Sequence, residues 1–150
     1  MKDRPAVILL IEDDETHAML ITRAFEDVKI SHEIHWMGSG DEALDYLLRR
    51  SKYADPKDCP RPDLILLDLR LPVVDGHEIL KEIKGSEHLK ALPVVILTTS
   101  RNDADIAKAY SNYANSYLVK PMGSDLFREM VTALGNYWLK WNVIVLLEKE

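Results

Sequence analysis

Five short apolar runs, each followed by a segment with helical spacing, restrict this chain more than any other feature. The runs are "AVILLIE" (6–12), "HEIHWM" (32–37), "LILLD" (64–68), "PVVILTT" (93–99) and "SYLVK" (116–120). Unbroken runs rich in Val, Ile and Leu suit strands buried on both faces, and a parallel sheet covered by helices on each side provides that environment. Ala18, Ile21, Phe25 and Val28 recur at helical spacing after the first run. "SGDEALDYLLRR" opens with Ser39 and Glu42 at the spacing of a capping box, which predicts a helix start there. "DGHEILKEIK" (75–84), "NDADIAKAYSNY" (102–113) and "SDLFREMVTALGNYWLKW" (124–141) complete the series of helices. Strict β/α alternation requires right-handed crossovers between parallel strands. The expected fold class is therefore α/β: a flavodoxin-like, doubly wound, five-stranded parallel sheet in strand order 2-1-3-4-5. The proline-rich "KYADPKDCPRP" (52–62) is expected to be an exposed connection between the second helix and the third strand.

At 150 residues the chain is long enough for one domain with a sizeable core. A net charge of −6 argues against an electrostatic grip on nucleic acid. No apolar segment approaches eighteen residues, so no membrane span is expected. The N-terminal apolar run is too short for a signal peptide. Cys59 is the single cysteine, which excludes an intrachain disulfide and points to a reducing, cytoplasmic setting.

In an open α/β sheet, ligands sit beyond the carboxyl ends of the strands. The first strand delivers Glu12, Asp13 and Asp14 there, and the third delivers Asp68. The fourth delivers Thr98, Thr99 and Ser100, and the fifth delivers Lys120, followed by Pro121. Carboxylates brought together resist ionisation unless a cation lies between them. An all-oxygen set on a partly open site favours Mg²⁺. A carboxylate nucleophile, a metal, a hydroxyl and a lysine together make a site for phosphoryl transfer. Each residue also has a plainer reading. Asp68 could be a turn former, Asp14 a helix start at the positive end of the helix dipole, and Tyr117 a half-buried strand aromatic. Tyr110 and Tyr113 share one side of the fourth helix and could serve either the core or a partner. The five histidines lack metal-ligand spacing and are assigned no role.

Four motifs arrive in one order: "ILLIEDD", "LILLDLRLPVVDG", "PVVILTTS" and "SYLVKP". Over about residues 5 to 140 the chain thereby resembles a response-regulator receiver domain of two-component signalling. It is most similar to the stand-alone type that partners phytochrome-like histidine kinases. The resemblance implies that Asp68 is the phosphorylated aspartate. It implies that Asp13 binds Mg²⁺ directly, that Glu12 binds it through water, and that the backbone carbonyl of Arg70 is a further ligand. Thr98 would bind a phosphoryl oxygen, Lys120 would pair with the phosphate, and Tyr117 would be the aromatic switch. Pro121 would follow a cis peptide bond. The family has an acidic pair where this chain has three acids, and register with "LLIED" selects Glu12 and Asp13. Arg70 and Ser100, two residues beyond Asp68 and Thr98, stand where the family tunes the access of water to phosphorus.

The implied partner is a sensor histidine kinase or a phosphotransfer protein. With about nine residues left after the last helix, the expected output is a protein contact, a relay step or a change of oligomer. The competing enzyme reading is a haloacid-dehalogenase-type phosphatase or phosphotransferase. That motif needs a second Asp two residues after the nucleophile, and Arg70 stands there. A flavodoxin-like cofactor binder would need a Ser/Thr/Gly-rich loop where "EDDETH" stands. The chain divides into a receiver domain, 1–141, and an apolar extension, 142–150. Leu126, Met130, Leu134, Trp138 and Trp141 are expected to form the buried face of the final helix. Val143, Ile144, Val145, Leu146 and Leu147 follow without a polar break, so the extension is expected to be a dimerisation arm of a homodimer.

Overall fold

The computed structural model describes residues 4–144. Its strands are β1 (Ala6–Ile11), β2 (His32–Met37), β3 (Leu64–Leu67), β4 (Val94–Thr98) and β5 (Ser116–Val119), alternating with α1 (Glu15–Phe25), α2 (Gly40–Leu47), α3 (Gly76–Gly85), α4 (Asp103–Ser111) and α5 (Ser124–Asn136). The sheet order is β2-β1-β3-β4-β5 and every pairing is parallel, the doubly wound flavodoxin-like arrangement.

Alternation along the strands explains the two layers. Leu9, Ile11, Ile65, Leu67, Val94 and Ile96 face one core, packed under α2 and α3. Ile8, Leu10, Leu64, Leu66, Val95 and Leu97 face the other, under α1 and α5. Because successive strand residues point to opposite faces, a strand covered on both sides must be apolar throughout. All residues of β1, β3 and β4 are buried accordingly. The edge strand β2 is only partly buried, matching its weaker apolar pattern.

Several local expectations change. Ser39 is the N-cap of α2, but its side chain caps no backbone N–H. Glu42 does not close the box either: its carboxylate accepts from the Tyr53 hydroxyl at 2.9 Å and pairs with Lys52. The 52–62 connection is not wholly exposed. It contains two short 3₁₀ turns, Ser51–Tyr53 and Pro56–Asp58, and buries Cys59. The thiol donates to the Tyr53 carbonyl at 3.1 Å, so the loop plugs the α2 side of the core.

The final helix also differs. Its buried residues are Phe127, Val131, Leu134 and Gly135, with Met130, Trp138 and Leu139 partly buried behind them. Leu126 and Trp141 are exposed, contrary to the expected seam. Leu134 is buried and Met130 and Trp138 are partly buried as expected, and Phe127 and Val131 complete the inward stripe in place of Leu126 and Trp141. The last turn, Tyr137–Trp141, is π-helical and directs Trp141 outward. Tyr110 and Tyr113 are exposed, which removes the core reading for both. Val143 is exposed and Ile144 half-buried; Val145, Leu146 and Leu147 of the proposed arm lie outside the described residues.

Candidate functional site

Strand register assembles the site. Ile11 is aligned with Leu67, so Glu12 follows beside Asp68. Thr98 is aligned with Val119, so Lys120 comes next. The backbone locks these ends: Asp68 N donates to the Ile11 carbonyl at 3.0 Å, and Lys120 N to that of Thr98 at 2.7 Å. Gly76 lets α3 start hard against the third strand's end. A Cβ there would lie 2.2 Å from the Asp68 carbonyl oxygen. In the same loop Val73 has φ 67° and is exposed. This left-handed conformation is strained for a β-branched side chain and stands at the rim of the site.

At the centre is the Lys120 ammonium. It donates to Glu12 Oε1 at 2.5 Å, to Asp68 Oδ2 at 3.1 Å and to His17 Nδ1 at 2.9 Å. An ammonium has three hydrogens, so all are used. Acceptance at Nδ1 places the His17 proton on Nε2. The Lys120 side chain is only 2% exposed, and Glu12 and Asp68 are likewise buried. Each of these charges would be costly alone, and each is compensated by the others. Burial pushes Glu12 up from its ordinary 4.5 to about 7, against the Lys120 hydrogen bond that pulls it down; the Asp68 charge adds to the rise.

The second oxygen of Glu12 accepts from Asp14 N at 3.1 Å. Asp14 is the N-cap of α1, its Oδ1 accepting from Thr16 N and His17 N, so the helix-start reading holds for it. Asp13 projects outward. Glu12, Asp13 and Asp68 each present a carboxylate oxygen, all within 4.8 Å of one another. This hard, all-oxygen set of two buried acids and one exposed acid fits a divalent cation entering from solvent.

The remaining expected residues form a second shell of bonds. Arg70 N donates to Asp68 Oδ1 at 3.2 Å. Thr98 is fully buried, and its hydroxyl oxygen accepts from Ser100 N at 3.4 Å. The Tyr117 hydroxyl donates to the Ser100 carbonyl at 3.0 Å, tying the aromatic residue to the loop after β4. Pro121 does not follow a cis bond: no cis peptide bond occurs among the described residues. The trans form is the lower-energy isomer of an X–Pro bond, and the chain here turns at Gly123, whose φ is 94°.

Sequence reasoning missed four participants. His17 stands in the first turn of α1, three residues after its N-cap Asp14, and its ring reaches Lys120 only through the packing of that helix beside β5. Trp36 on β2 donates from its indole N–H to the Glu12 carbonyl at 2.6 Å. Asp105 and His77 pair at 3.1 Å beside Ser100 and Arg70. Nothing in their local sequence marks these two, because the contact joins α3 to α4.

Residues 8–132 match the response regulator receiver domain. The chain belongs to that family. It is 51% identical to the probable methanogenesis regulatory protein FilR2 of Methanothrix harundinacea, over 92% of this chain and 86% of that protein. It is 41% identical to response regulator Rcp1 of Synechocystis, over 91% of this chain and 90% of Rcp1. The Mn²⁺-bound structure of Rcp1 superposes with a TM-score of 0.89 at 37% identity, covering 95% of this chain and 100% of that one. The phosphorylated cyanobacterial phytochrome response regulator RcpA gives a TM-score of 0.89 at 37% identity, with 93% and 98% covered. The chain is thus a phosphoacceptor signalling domain of the receiver type with an acidic cluster that could hold a divalent cation, and the dehalogenase-type alternative finds no support. Among the described residues no helix is long and apolar enough to cross a membrane.

The Glu12 proton competes with the cation, so divalent-ion affinity should fall as pH drops through about 7. The steepest dependence is about tenfold per pH unit. Tryptophan fluorescence checks this, with Trp36 bonded at the site; a flat affinity from about pH 5 to about pH 8 would contradict it. Asp13→Asn should weaken binding more than Asp14→Asn.

Proposed function

We propose that Asp68 is the phosphoacceptor, that Mg²⁺ is the working cation, and that the donor is a phosphohistidine of a phytochrome-like sensor kinase or a phosphotransfer protein. The observation that carries this reading is the buried Asp68 carboxylate, with one oxygen on Lys120 and the other on the Arg70 amide. One Asp68 oxygen attacks phosphorus, a P–O bond forms, the P–N bond to the donor histidine breaks, and the histidine nitrogen regains a proton. Asp13, Asp68 and the Arg70 carbonyl would hold Mg²⁺, with Glu12 reaching it through water, and the ion would neutralise charge on the phosphoryl oxygens. Lys120 exchanges part of its bond to Asp68 for a phosphoryl oxygen. Thr98 supplies a hydroxyl proton to another, and Tyr117 follows Thr98 through Ser100. The chain acts on itself alone, gaining the phosphoryl group and losing it to water; its output is a changed protein contact.

Beside Lys120 a cleft of about 520 Å³ opens between His17, Pro121, Met122 and Phe127. It gives a donor residue an approach to Lys120 from the α1–α5 side. With an acyl phosphate or phosphoramidate and Mg²⁺, the protein should label at Asp68; excess chelator or Asp68→Asn should reduce labelling at least about a hundredfold. Unimpaired labelling of Asp68→Asn would remove the assignment.

We further infer that residues 1–141 are the receiver and that 142–150 form the arm of a homodimer. Trp141, 71% exposed, and Val143, 93% exposed, support this, as do the exposed Tyr137 and Leu126 on the outer side of the last helix. Apolar surface of this kind is commonly covered by a second copy. Light scattering should give a dimer for the full chain and a monomer for a chain ending at Trp141. A full-length monomer at tens of micromolar, unchanged by phosphorylation, would exclude the arm.

A further inference from the structure

Asp105, in the first turn of α4, touches no reacting atom, yet its carboxylate joins four parts of the fold. Oδ2 accepts from Arg70 Nη2 at 2.8 Å and from the Ser100 hydroxyl at 2.6 Å. Oδ1 accepts from His77 Nε2 at 3.1 Å. His77 is buried, and its Nδ1 has no partner among the described residues. Its Nε2–H bond to Asp105 is therefore what anchors the ring, and it fixes the carboxylate from the α3 side.

Each of the other two donors leads to the phosphorylation site. The Arg70 amide holds Asp68 Oδ1. Ser100 donates its N–H to Thr98 and accepts the Tyr117 hydroxyl on its carbonyl. Asp105 thus holds the rim arginine with one oxygen and, through Ser100, the Thr98–Tyr117 pair with the same oxygen.

The arginine is the movable member. Its side chain is 63% exposed, and its backbone is already bonded to Asp68. A phosphoryl group on Asp68 carries more negative charge than Asp105 and offers several oxygens, so it is the stronger acceptor for a guanidinium. If Arg70 leaves, Asp105 keeps Ser100 and His77 and is not stranded. The bridge that is lost is an exposed one, and such bridges contribute little.

We propose that Asp105 is a positioning residue that holds Arg70 off the phosphorylation site until the phosphoryl group takes the guanidinium over. The exchange of acceptors links Asp68 to Ser100, Thr98 and Tyr117. This rests on Asp68 being the phosphoacceptor. Arg70 drawn over the phosphoryl group obstructs water. In hydrolysis the water oxygen bonds to phosphorus, the P–O bond to Asp68 breaks, and inorganic phosphate leaves with the Asp68 carboxylate restored and a proton released to solvent. The lifetime of the acyl phosphate therefore depends on how strongly Asp105 competes for Arg70.

The test follows decay of the acyl phosphate in the full chain, labelled with acetyl phosphate and Mg²⁺ and then freed of donor. Asp105→Asn should lengthen the lifetime about fivefold, the scale of one exposed charged pair. Arg70→Ala should shorten it by a similar factor. In the Arg70→Ala background, where Asp105 keeps only its bonds to Ser100 and His77, Asp105→Asn should lengthen the lifetime by less than in the parent chain, whereas a merely structural role would alter it equally in both backgrounds. An unchanged or shortened lifetime in Asp105→Asn, or an equal effect in both backgrounds, would overturn the proposal. If Asp105→Asn does not fold, Arg70→Ala alone decides, and a lifetime equal to the parent's overturns it. A parent labelled elsewhere than at Asp68 overturns both this and the phosphoacceptor reading; a parent labelled at Asp68 with a lifetime indifferent to these residues overturns this one alone.

Discussion

The Lys120 ammonium, with its three hydrogens shared among Glu12, Asp68 and His17, is the interaction on which the site depends. Two buried carboxylates at the ends of adjacent strands repel one another, and desolvation opposes the charge on each. One buried cation compensates both and holds them in place. It also holds the His17 ring, which ties α1 to β5. Breaking such a buried pair typically costs about 3–5 kcal/mol, because the remaining charge is left uncompensated. The same lysine stands where a phosphoryl oxygen must be received, so the group that keeps the resting site together is also a group that phosphorylation redirects.

The fold makes this arrangement by register. The first and third strands end in register, as do the fourth and fifth, so the residues that follow these ends come out side by side. The strand "LILL" shows how position decides role. Asp63 precedes it and Asp68 follows it, and both are buried. Asp63 accepts from Val7 N at 2.8 Å and is clamped by Arg4, at the end of the sheet away from the site. Its bonds tie the start of the third strand to Arg4 and the first strand, away from the site, so it is structural. Asp68 lies at the carboxyl end, where three acids and a lysine converge and a divalent cation can enter.

What was legible in the sequence follows from this. The β/α alternation reports burial on two faces, and that is a local property of each run. Glu12, Asp13, Asp68, Thr98 and Lys120 are legible because each ends a strand, so the topology alone brings them together. His17, His77, Trp36 and Asp105 were not legible, since each reaches the site from a different element through packing. The last helix was misread only at the two ends of its stripe, because Leu126 and Phe127 both begin plausible stripes and the π-helical turn at Tyr137–Trp141 breaks the period that would have carried Trp141 inward. Ser39 and Glu42 have the spacing of a capping box, but Tyr53 and Lys52 claim the glutamate. The implied cis bond before Pro121 belonged to the family pattern and not to any property of this sequence.

The most direct test of this account is the stability of Lys120→Met, measured by denaturant unfolding in chelator across pH. Glu12 in the parent has its pKa raised above the ordinary value, so the folded state holds that proton more tightly than the unfolded one. Its contribution to stability is full below about 4.5 and drains away as pH rises through about 7. Without the lysine cation, ionising Glu12 beside Asp68 becomes harder still. The variant should be less stable than the parent by about 3 kcal/mol or more at about pH 8, the deficit should shrink at about pH 5, and Mg²⁺ should restore part of it at the higher pH. A deficit of the same size at both pH values, indifferent to Mg²⁺, would show that Lys120 only fills space there.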